Sequence, residues 1–138
     1  MASNNDLRSV FERLKKIFTP YEVKMNVAQD TDTMYVLNTR HFLKKNYPLM
    51  FGGVRLGKNY VSYYLMSVYA TDESKRMSEE LLKRMQGKAC FNFKEVDEKL
   101  FKELEKITKV GAKRFTSEKF VEGLRRAQSS RAQKAEKM

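Results

Sequence analysis

The sequence predicts an α+β domain in which an antiparallel sheet of about five strands carries an N-terminal helix and C-terminal helices packed on it. Three observations favour this fold class. Residues 49–69 form two arms rich in Val, Tyr, Phe, Leu and Met, which suit a pleated, buried surface, on either side of a turn. Apolar residues recur at helical spacing near both ends of the chain. The predicted order α-β-β-β-β-α-β-α-α, with short connections, is typical of an antiparallel sheet with helices.

The chain begins with a predicted amphipathic helix. Asn5 or Asp6 can cap its first turn, and Pro20 ends it because proline has no backbone N–H to donate. Between them, six apolar residues form one stripe: Leu7, Val10, Phe11, Leu14, Ile17 and Phe18. A stripe at this spacing predicts that the helix packs on the sheet along one side.

Two shorter strands and a loop are predicted next. Residues 21–28 alternate apolar with polar side chains, which predicts a half-buried strand. Residues 29–32 predict a turn, and residues 33–38 predict a second strand that pairs with the first. Residues 39–47 show no clear period and are predicted to be a loop.

The hairpin of residues 49–69 is the centre of the predicted sheet. Its turn is predicted at residues 57–59, because Gly and Asn tolerate the positive φ angles that hairpin turns require. Both faces of its second arm are largely apolar, so both are expected to be covered, with helices as the cover. Gly52 and Gly53 are expected to let a helix or a large ring approach the sheet.

Helices dominate the predicted C-terminal half, around one short strand. A short helix is predicted up to about Gln86, with Gly87 at its C-terminal end, and a strand follows at residues 89–93. Asp97 is expected to cap a longer helix that closes at Gly111.

The last predicted helix begins at Thr116 or Ser117 and packs through Leu124. Further on, large apolar residues are almost absent, so this end is expected to be a solvated helix or disordered. The chain is therefore divided into an α+β domain at residues 1–115 and a basic, helical or partly disordered tail at residues 116–138.

Composition limits the kind of protein. With 138 residues, 41% of them hydrophobic, the chain is expected to be one domain with a real core. There is no run of about twenty apolar residues to span a membrane. The polar, acid-containing start argues against a secretory signal, and a cytoplasmic location is predicted. The 28 basic and 17 acidic residues give a net charge of +11, which attracts nucleic acid, anionic lipid or phosphorylated small molecules.

Two stretches resemble the YdhG-like family, a domain of unknown function. They are PLMFGGVRLGKNYVSYYLMSVY and LLKRMQGKACFNFKEVDEKLFKELEKITKVGAKRF, and they span most of residues 48–115. The shared motifs are a Gly-Gly strand, a Tyr-Val-Ser-Tyr strand, and a Gly-Lys-x-Cys-Phe-Asn-Phe strand before an acid-capped helix. The resemblance implies an antiparallel sheet flanked by helices. It implies no settled activity, although some members are described as frataxin-like iron chaperones.

Neither of the two reactive side chains predicts a catalytic or metal site. His41 is the only histidine, and a metal site usually draws on several His, Cys or clustered carboxylates. Cys90 is the only cysteine, which excludes an internal disulfide and a cysteine-based zinc cluster, and a Cys nucleophile needs a base to lower its pKa. The helix after Asp97 interleaves its carboxylates with lysines, unlike the acidic ridge of frataxins. We predict no catalytic residue, no metal site and no cofactor.

Basic side chains near aromatic rings provide the candidate binding site. A predicted basic rim comprises Lys44, Lys45, Arg55, Lys58, Lys88 and Lys94. A basic rim beside exposed aromatic rings suits an anionic ligand or single-stranded nucleic acid. The predicted ligand-binding residues are Arg40, His41, Lys44, Arg55 and Tyr63.

The sequence therefore favours a non-catalytic binding or scaffold domain. Its predicted partner is an anionic small molecule, a nucleic acid or an acidic protein, and not a membrane. Two alternatives stay open: a frataxin-like iron-binding chaperone, and a small enzyme that uses His41 and Cys90. Hydrogen-bond distance between His41 and Cys90 would favour the enzyme, and a wide separation would remove it.

Overall fold

The fold is described from a computed structural model, which covers residues 4–70, 75, 77–87 and 89–136. In chain order its elements are α1 (Asn4–Phe18), a 3-10 turn (Thr19–Val23), β1 (Asn26–Asp30), β2 (Met34–Lys44), β3 (Tyr47–Leu56), β4 (Val61–Leu65), α2 (Met66–Ala70), α3 (Glu79–Leu82), β5 (Met85–Gln86), β6 (Cys90–Phe93), α4 (Glu98–Phe115) and α5 (Glu118–Glu136).

The strands form one antiparallel sheet in the order β1-β2-β3-β4-β6-β5. The helices described here lie on one face of it: α1 packs on β3 and β4, α4 contacts α1, and α2 and α5 contact α4. The predicted α+β class is confirmed, with six strands where about five were expected. No helix of the described residues lies on the other face, so the expectation that helices cover both faces of the second hairpin arm is wrong; we call this other face the open face.

Aromatic rings fill the space between α1 and the sheet. The Phe18 ring stacks on Tyr63 with centroids 4.7 Å apart and meets Phe51 edge-on at 5.8 Å. A Cβ on Gly52 would lie 2.7 Å from the Phe18 ring, so only glycine allows this approach. The predicted role of Gly52, to admit a large ring, is confirmed.

The strand predicted at residues 21–28 is wrong in its first half. Pro20 starts the 3-10 turn Thr19–Val23 instead, and β1 begins only at Asn26. Proline fixes the φ angle that a helical turn needs, which outweighs the alternating pattern that follows. Val23 is consequently 77% exposed, and every residue of β1 is exposed at the edge of the sheet.

The loop predicted at residues 39–47 is also wrong, because β2 continues to Lys44 and pairs there with Tyr47. The Thr39 hydroxyl is buried and donates to the Leu49 carbonyl at 3.0 Å, which ties the two strands together. The reversal takes place at Asn46, whose φ of 66° is one that Asn adopts more readily than most residues.

The second arm of the central hairpin is shorter than predicted. β4 ends at Leu65, and Met66–Ala70 forms α2, so the residues up to position 69 are not a strand. The predicted turn at residues 57–59 is present, but in the described chain only Asn46 and Gly87 have positive φ. Gly57 is needed for a different reason: a Cβ there would lie 2.8 Å from the Tyr60 carbonyl oxygen.

The region before α4 is less helical than predicted. α3 has four residues, and Gln86 belongs to β5. Gly87 has a φ of 79° between β5 and β6, so it turns a hairpin and does not end a helix. The strand predicted at residues 89–93 is confirmed as β6.

The two C-terminal helices begin where predicted. The Asp97 side chain accepts a hydrogen bond from the Leu100 N–H, and the Ser117 hydroxyl accepts one from Phe120 N–H. α4 does not close at Gly111 but runs to Phe115. Val121 of α5 is fully buried, so the start of the segment at residues 116–138 packs on the core. No helix in the described part of the chain is long and apolar enough to cross a membrane.

Gly111 of α4 and Gly123 of α5 provide a matched test of this packing. A Cβ on Gly111 would lie 2.7 Å from the Ser67 Cβ, whereas one on Gly123 would meet nothing within 4 Å. We expect Gly111→Ala to lower the free energy of unfolding by about 1–3 kcal/mol through overpacking. Gly123→Ala should raise it by about 0.5–1 kcal/mol through helix propensity. Urea unfolding measures both, and equal stabilisation by the two changes would contradict the α2–α4 contact.

Candidate ligand-binding site

Two rows of residues cross the open face from strand to strand. In an antiparallel sheet, directly paired residues point to the same face. The first row is Val36, Gly53, Tyr64, Cys90 and Gln86, and the second is Met34, Arg55, Ser62 and Asn92. Tyr63, between them along β4, pairs with Val54 and Phe91 and points to the helices. The open face is therefore mixed in character, whereas the helix face is apolar.

A hydrogen-bonded polar network lies at the centre of the second row. The Ser62 hydroxyl donates to Asn92 Oδ1 at 2.8 Å, and the Cys90 thiol donates to the same oxygen at 3.5 Å. Asn92 Nδ2 donates to Gln86 Oε1 at 2.6 Å. These bonds fix the orientation of the Asn92 amide, and the Gln86 amide nitrogen, itself a donor, has no acceptor among the described residues.

The network forms the floor of a shallow depression. The depression has a volume of about 510 Å³ and runs from the turn at residues 57–60 to Gln86 and Asn92, with Tyr60 and Tyr64 in its lining. A second depression of about 380 Å³ shares Tyr60, Gln86 and Asn92 and continues towards β5. Among the described residues, no carboxylate lines either depression, whereas Glu80 and Asp97 line a neighbouring one together with Lys83 and Arg84.

Five cations surround these two depressions: Arg55, Lys58, Lys83, Arg84 and Lys94. In the part of the chain that the structure describes, no carboxylate forms an ion pair with any of them. Cations in other parts of the described chain do form ion pairs with carboxylates. Arg13 binds Glu98 at 2.9 Å and Glu105 at 2.8 Å; the hydrogen bond to Glu98 raises the pKa of Arg13, and Arg13 lowers the pKa of Glu98.

The structure separates three of the predicted binding residues from Arg55. The Arg40 guanidinium donates to the Val23 carbonyl at 3.0 Å, and His41 Nδ1 lies 3.6 Å from a Glu118 carboxylate oxygen. Lys44 is the last residue of β2, and its side chain lies outside the described residues, as does Lys88. Since Met34 at the other end of β2 pairs with Arg55, Arg40 lies about 20 Å from Arg55 along the strand.

Tyr63, the fifth predicted binding residue, is part of the core. It is fully buried, stacks on Phe18, and shares a short hydrogen bond with the Thr108 hydroxyl of α4. Burial raises the pKa of its hydroxyl group well above the ordinary value. Tyr63 is thus a packing residue, and the tyrosine that points to the open face is its neighbour Tyr64.

His41 and Cys90, the two side chains considered for catalysis, lie far apart. His41 lies on β2 and Cys90 on β6, and two strands lie between them. Three strand spacings alone put them at least about 14 Å apart, and His41 is also displaced along β2 from Val36, which is level with Cys90. This is too far for a nucleophile and its base. Among the residues described, no three His, Cys, Asp or Glu side chains come together in a way that could hold a metal ion.

Sequence reasoning missed most of the residues that line the depressions. Of those predicted, Arg55, Lys58 and Lys94 do lie there, whereas Tyr60, Ser62, Tyr64, Asn92 and Gln86 were not singled out. The alternation of Tyr60, at the end of the turn, with Ser62 and Tyr64 of β4 was the available signal. The contribution of β5 and β6 could not be found that way, because it depends on their pairing.

Comparison with known proteins assigns neither a family nor a function. No protein-family model, no curated protein and no solved structure matches the chain. Membership of the YdhG-like family therefore stays a prediction from the motifs of residues 48–115. The function has to be inferred from the open face itself.

Tyr63→Phe tests whether this hydroxyl group belongs to the core. At neutral pH the change leaves the Thr108 hydroxyl without that partner and should lower the free energy of unfolding by about 1–3 kcal/mol. Because the pKa of the Tyr63 hydroxyl is raised in the folded state, its contribution to stability is complete below about pH 10, the ordinary pKa of a tyrosine in the unfolded chain. This contribution is lost as the pH rises above that value. The gap between wild type and variant should therefore shrink above about pH 10.

Urea unfolding at neutral and at alkaline pH measures this gap. Tyr47→Phe is the matched control, since Tyr47 is 60% exposed. The difference in the free energy of unfolding between wild type and this variant should stay small at both pH values. A Tyr63→Phe gap that is constant across the pH range would contradict the buried, neutral hydroxyl.

Proposed function

We propose that this protein is a non-catalytic binding domain that holds an anionic ligand or an acidic partner on the open face of its sheet. The observation that carries the proposal is the set of five cations, Arg55, Lys58, Lys83, Arg84 and Lys94, that line depressions to which no described carboxylate contributes. Glu80 and Asp97 lie beside Lys83 and Arg84 in a neighbouring depression, whereas the depressions around Arg55, Lys58 and Lys94 have no described carboxylate in their lining. Such an excess of cations produces a positive potential, and concave surfaces focus it.

The polar groups on the floor support the same proposal. Phosphate and carboxylate groups need several donors at once, and Arg55 offers a planar guanidinium that can bind either group with two parallel bonds. The Gln86 amide nitrogen lies across the face from it. Ser62 is only 6% exposed and holds the Asn92 amide in place, and Asn92 in turn donates to the Gln86 side chain.

A binding role is favoured over the two alternatives by the surroundings of the reactive groups. The Cys90 thiol donates to Asn92 and has no imidazole nearby, so nothing activates it as a nucleophile. Iron would require clustered carboxylates, yet Glu98 and Glu105 are both bound by Arg13. A cytoplasmic location and the YdhG-like assignment accompany this proposal as predictions from the sequence.

Charge removal on the two sides of the molecule tests the proposal. The double variant Arg55→Gln with Lys58→Gln removes two cations from the open face. The matched control, Lys106→Gln with Lys109→Gln, removes two exposed cations from α4 on the helix side. The probe is a fluorescently labelled inorganic polyphosphate, titrated at low salt. We expect the first pair to weaken binding roughly 3- to 10-fold, with a shallower salt dependence, and the control to change it less than about 2-fold.

Equal weakening by both pairs would contradict the proposal, because the attraction would then come from the overall charge of +11 and from no particular surface. Unchanged binding in the open-face variant would contradict it as well.

A further inference from the structure

We infer that the ligand of the open face is a single-stranded nucleic acid whose bases stack on Tyr64 and Tyr60. This inference rests on the proposed anion site and adds the chemical class of the ligand. Single-stranded nucleic acids are bound where a positive groove follows the phosphates and aromatic side chains offer their rings to the bases. Both features occur together on the open face.

Tyr64 and Tyr60 differ from the tyrosines of the helix face. Tyr35 and Tyr63 contact the Phe18 ring, and Tyr21 contacts Phe51. Within the described residues, neither Tyr64 nor Tyr60 has another aromatic ring or a cation against its own ring. Their rings are therefore open to a ring from another molecule.

The neighbours of Tyr64 leave room beside it. Its paired residue on β3 is Gly53, and its paired residue on β6 is Cys90, both small. Gly53 cannot become larger, since a Cβ there would lie 2.5 Å from the Tyr35 carbonyl oxygen. The half-buried Tyr64 ring therefore has small residues on both sides and lines the first depression, where a planar base can lie against it.

Tyr60 and Tyr64 are spaced to hold more than one base. They alternate with Ser62 on the same side of the β4 strand and its turn, so about 13 Å separates their Cα atoms. Between them lies the network of Ser62, Asn92 and Gln86. Amide and hydroxyl groups of this kind form hydrogen bonds with the exposed edges of unpaired bases.

The position of the cations favours a strand over a small anion. Arg55 and Lys58 lie at the β3–β4 end of the first depression, and Lys83, Arg84 and Lys94 lie around the second. Because the depressions share three lining residues, the two groups of cations flank one continuous groove. A single phosphate is small compared with this groove, whose two depressions measure about 510 and 380 Å³. An acidic peptide would extend along the groove, but its carboxylate side chains have no flat ring to stack on Tyr64, and a duplex keeps its base faces stacked inside.

The test uses a fluorescein-labelled oligonucleotide of about twelve nucleotides, read by anisotropy at low salt, with the full chain. Tyr64→Leu removes the aromatic face, and Tyr64→Phe keeps it. We expect Tyr64→Leu to weaken binding roughly 5- to 100-fold and Tyr64→Phe to change it less than about 2-fold. Tyr60→Leu, at a ring that is 39% exposed in the turn, should weaken binding without affecting the fold. Thermal unfolding of each variant checks that the domain remains folded.

The outcomes separate this inference from the proposed function. If Tyr64→Leu and Tyr60→Leu bind the oligonucleotide as wild type does, while Arg55→Gln with Lys58→Gln still weakens polyphosphate, the anion site stands and the nucleic-acid inference is overturned. If neither the tyrosine variants nor the Arg55→Gln, Lys58→Gln double variant weakens the binding of any polyanion, the anion site and the nucleic-acid inference are both overturned. A duplex of the same length, or a polyglutamate chain of equal charge, that binds as tightly as the single strand also overturns the inference.

Discussion

The contact between Phe18 and the bare backbone of Gly52 is the constraint on which the rest of the structure depends. It brings the end of α1 down onto the middle of the sheet, where Phe18 stacks on Tyr63. Phe51 then joins Phe18 to Phe115 at the end of α4, and Phe115 continues the ring contacts to Phe120 of α5. A continuous aromatic layer thus holds α1, α4 and α5 on one face of the sheet.

The sequence did not reveal the open face, because β4 ends at Leu65 and not at position 69 as predicted. If the strand is extended to position 69, Met66 and Val68 appear to share a face with Tyr60 and Tyr64, which makes that face apolar. In the structure Met66 and Val68 belong to α2, and Val68 is buried. What remains on the open face of this arm is Tyr60, Ser62 and Tyr64. That pattern is amphipathic and is suited to a ligand.

Helices and caps that depend on residues close together in the sequence could be predicted from it. Features of strands that depend on pairing with another strand could not. α1 and α4 follow from apolar stripes, and the Asp97 cap follows from residue type alone. The extension of β2 through Thr39 depends on a hydrogen bond to Leu49 of another strand.

The residues of the candidate site divide in the same way, into those predictable from residue type and those that depend on strand pairing. Arg55, predicted from its charge, lies on the open face, whereas the predicted Tyr63 lies on the opposite face from its neighbour Tyr64, since adjacent residues of a strand point to opposite faces. Asn92 and Gln86 reach the site only through the pairing of β4, β5 and β6.

The central claim is that the open face is the ligand surface, and amide chemical shifts locate a ligand most directly. In a ¹⁵N-labelled sample titrated with inorganic pyrophosphate, the amides of Lys58, Ser62, Tyr64 and Asn92 should move together with one apparent Kd. The amides of Lys106 and Lys109, on the exposed side of α4, should stay in place. Shifts that are confined to α4 or α5, or that spread evenly over the basic surface, would contradict the account.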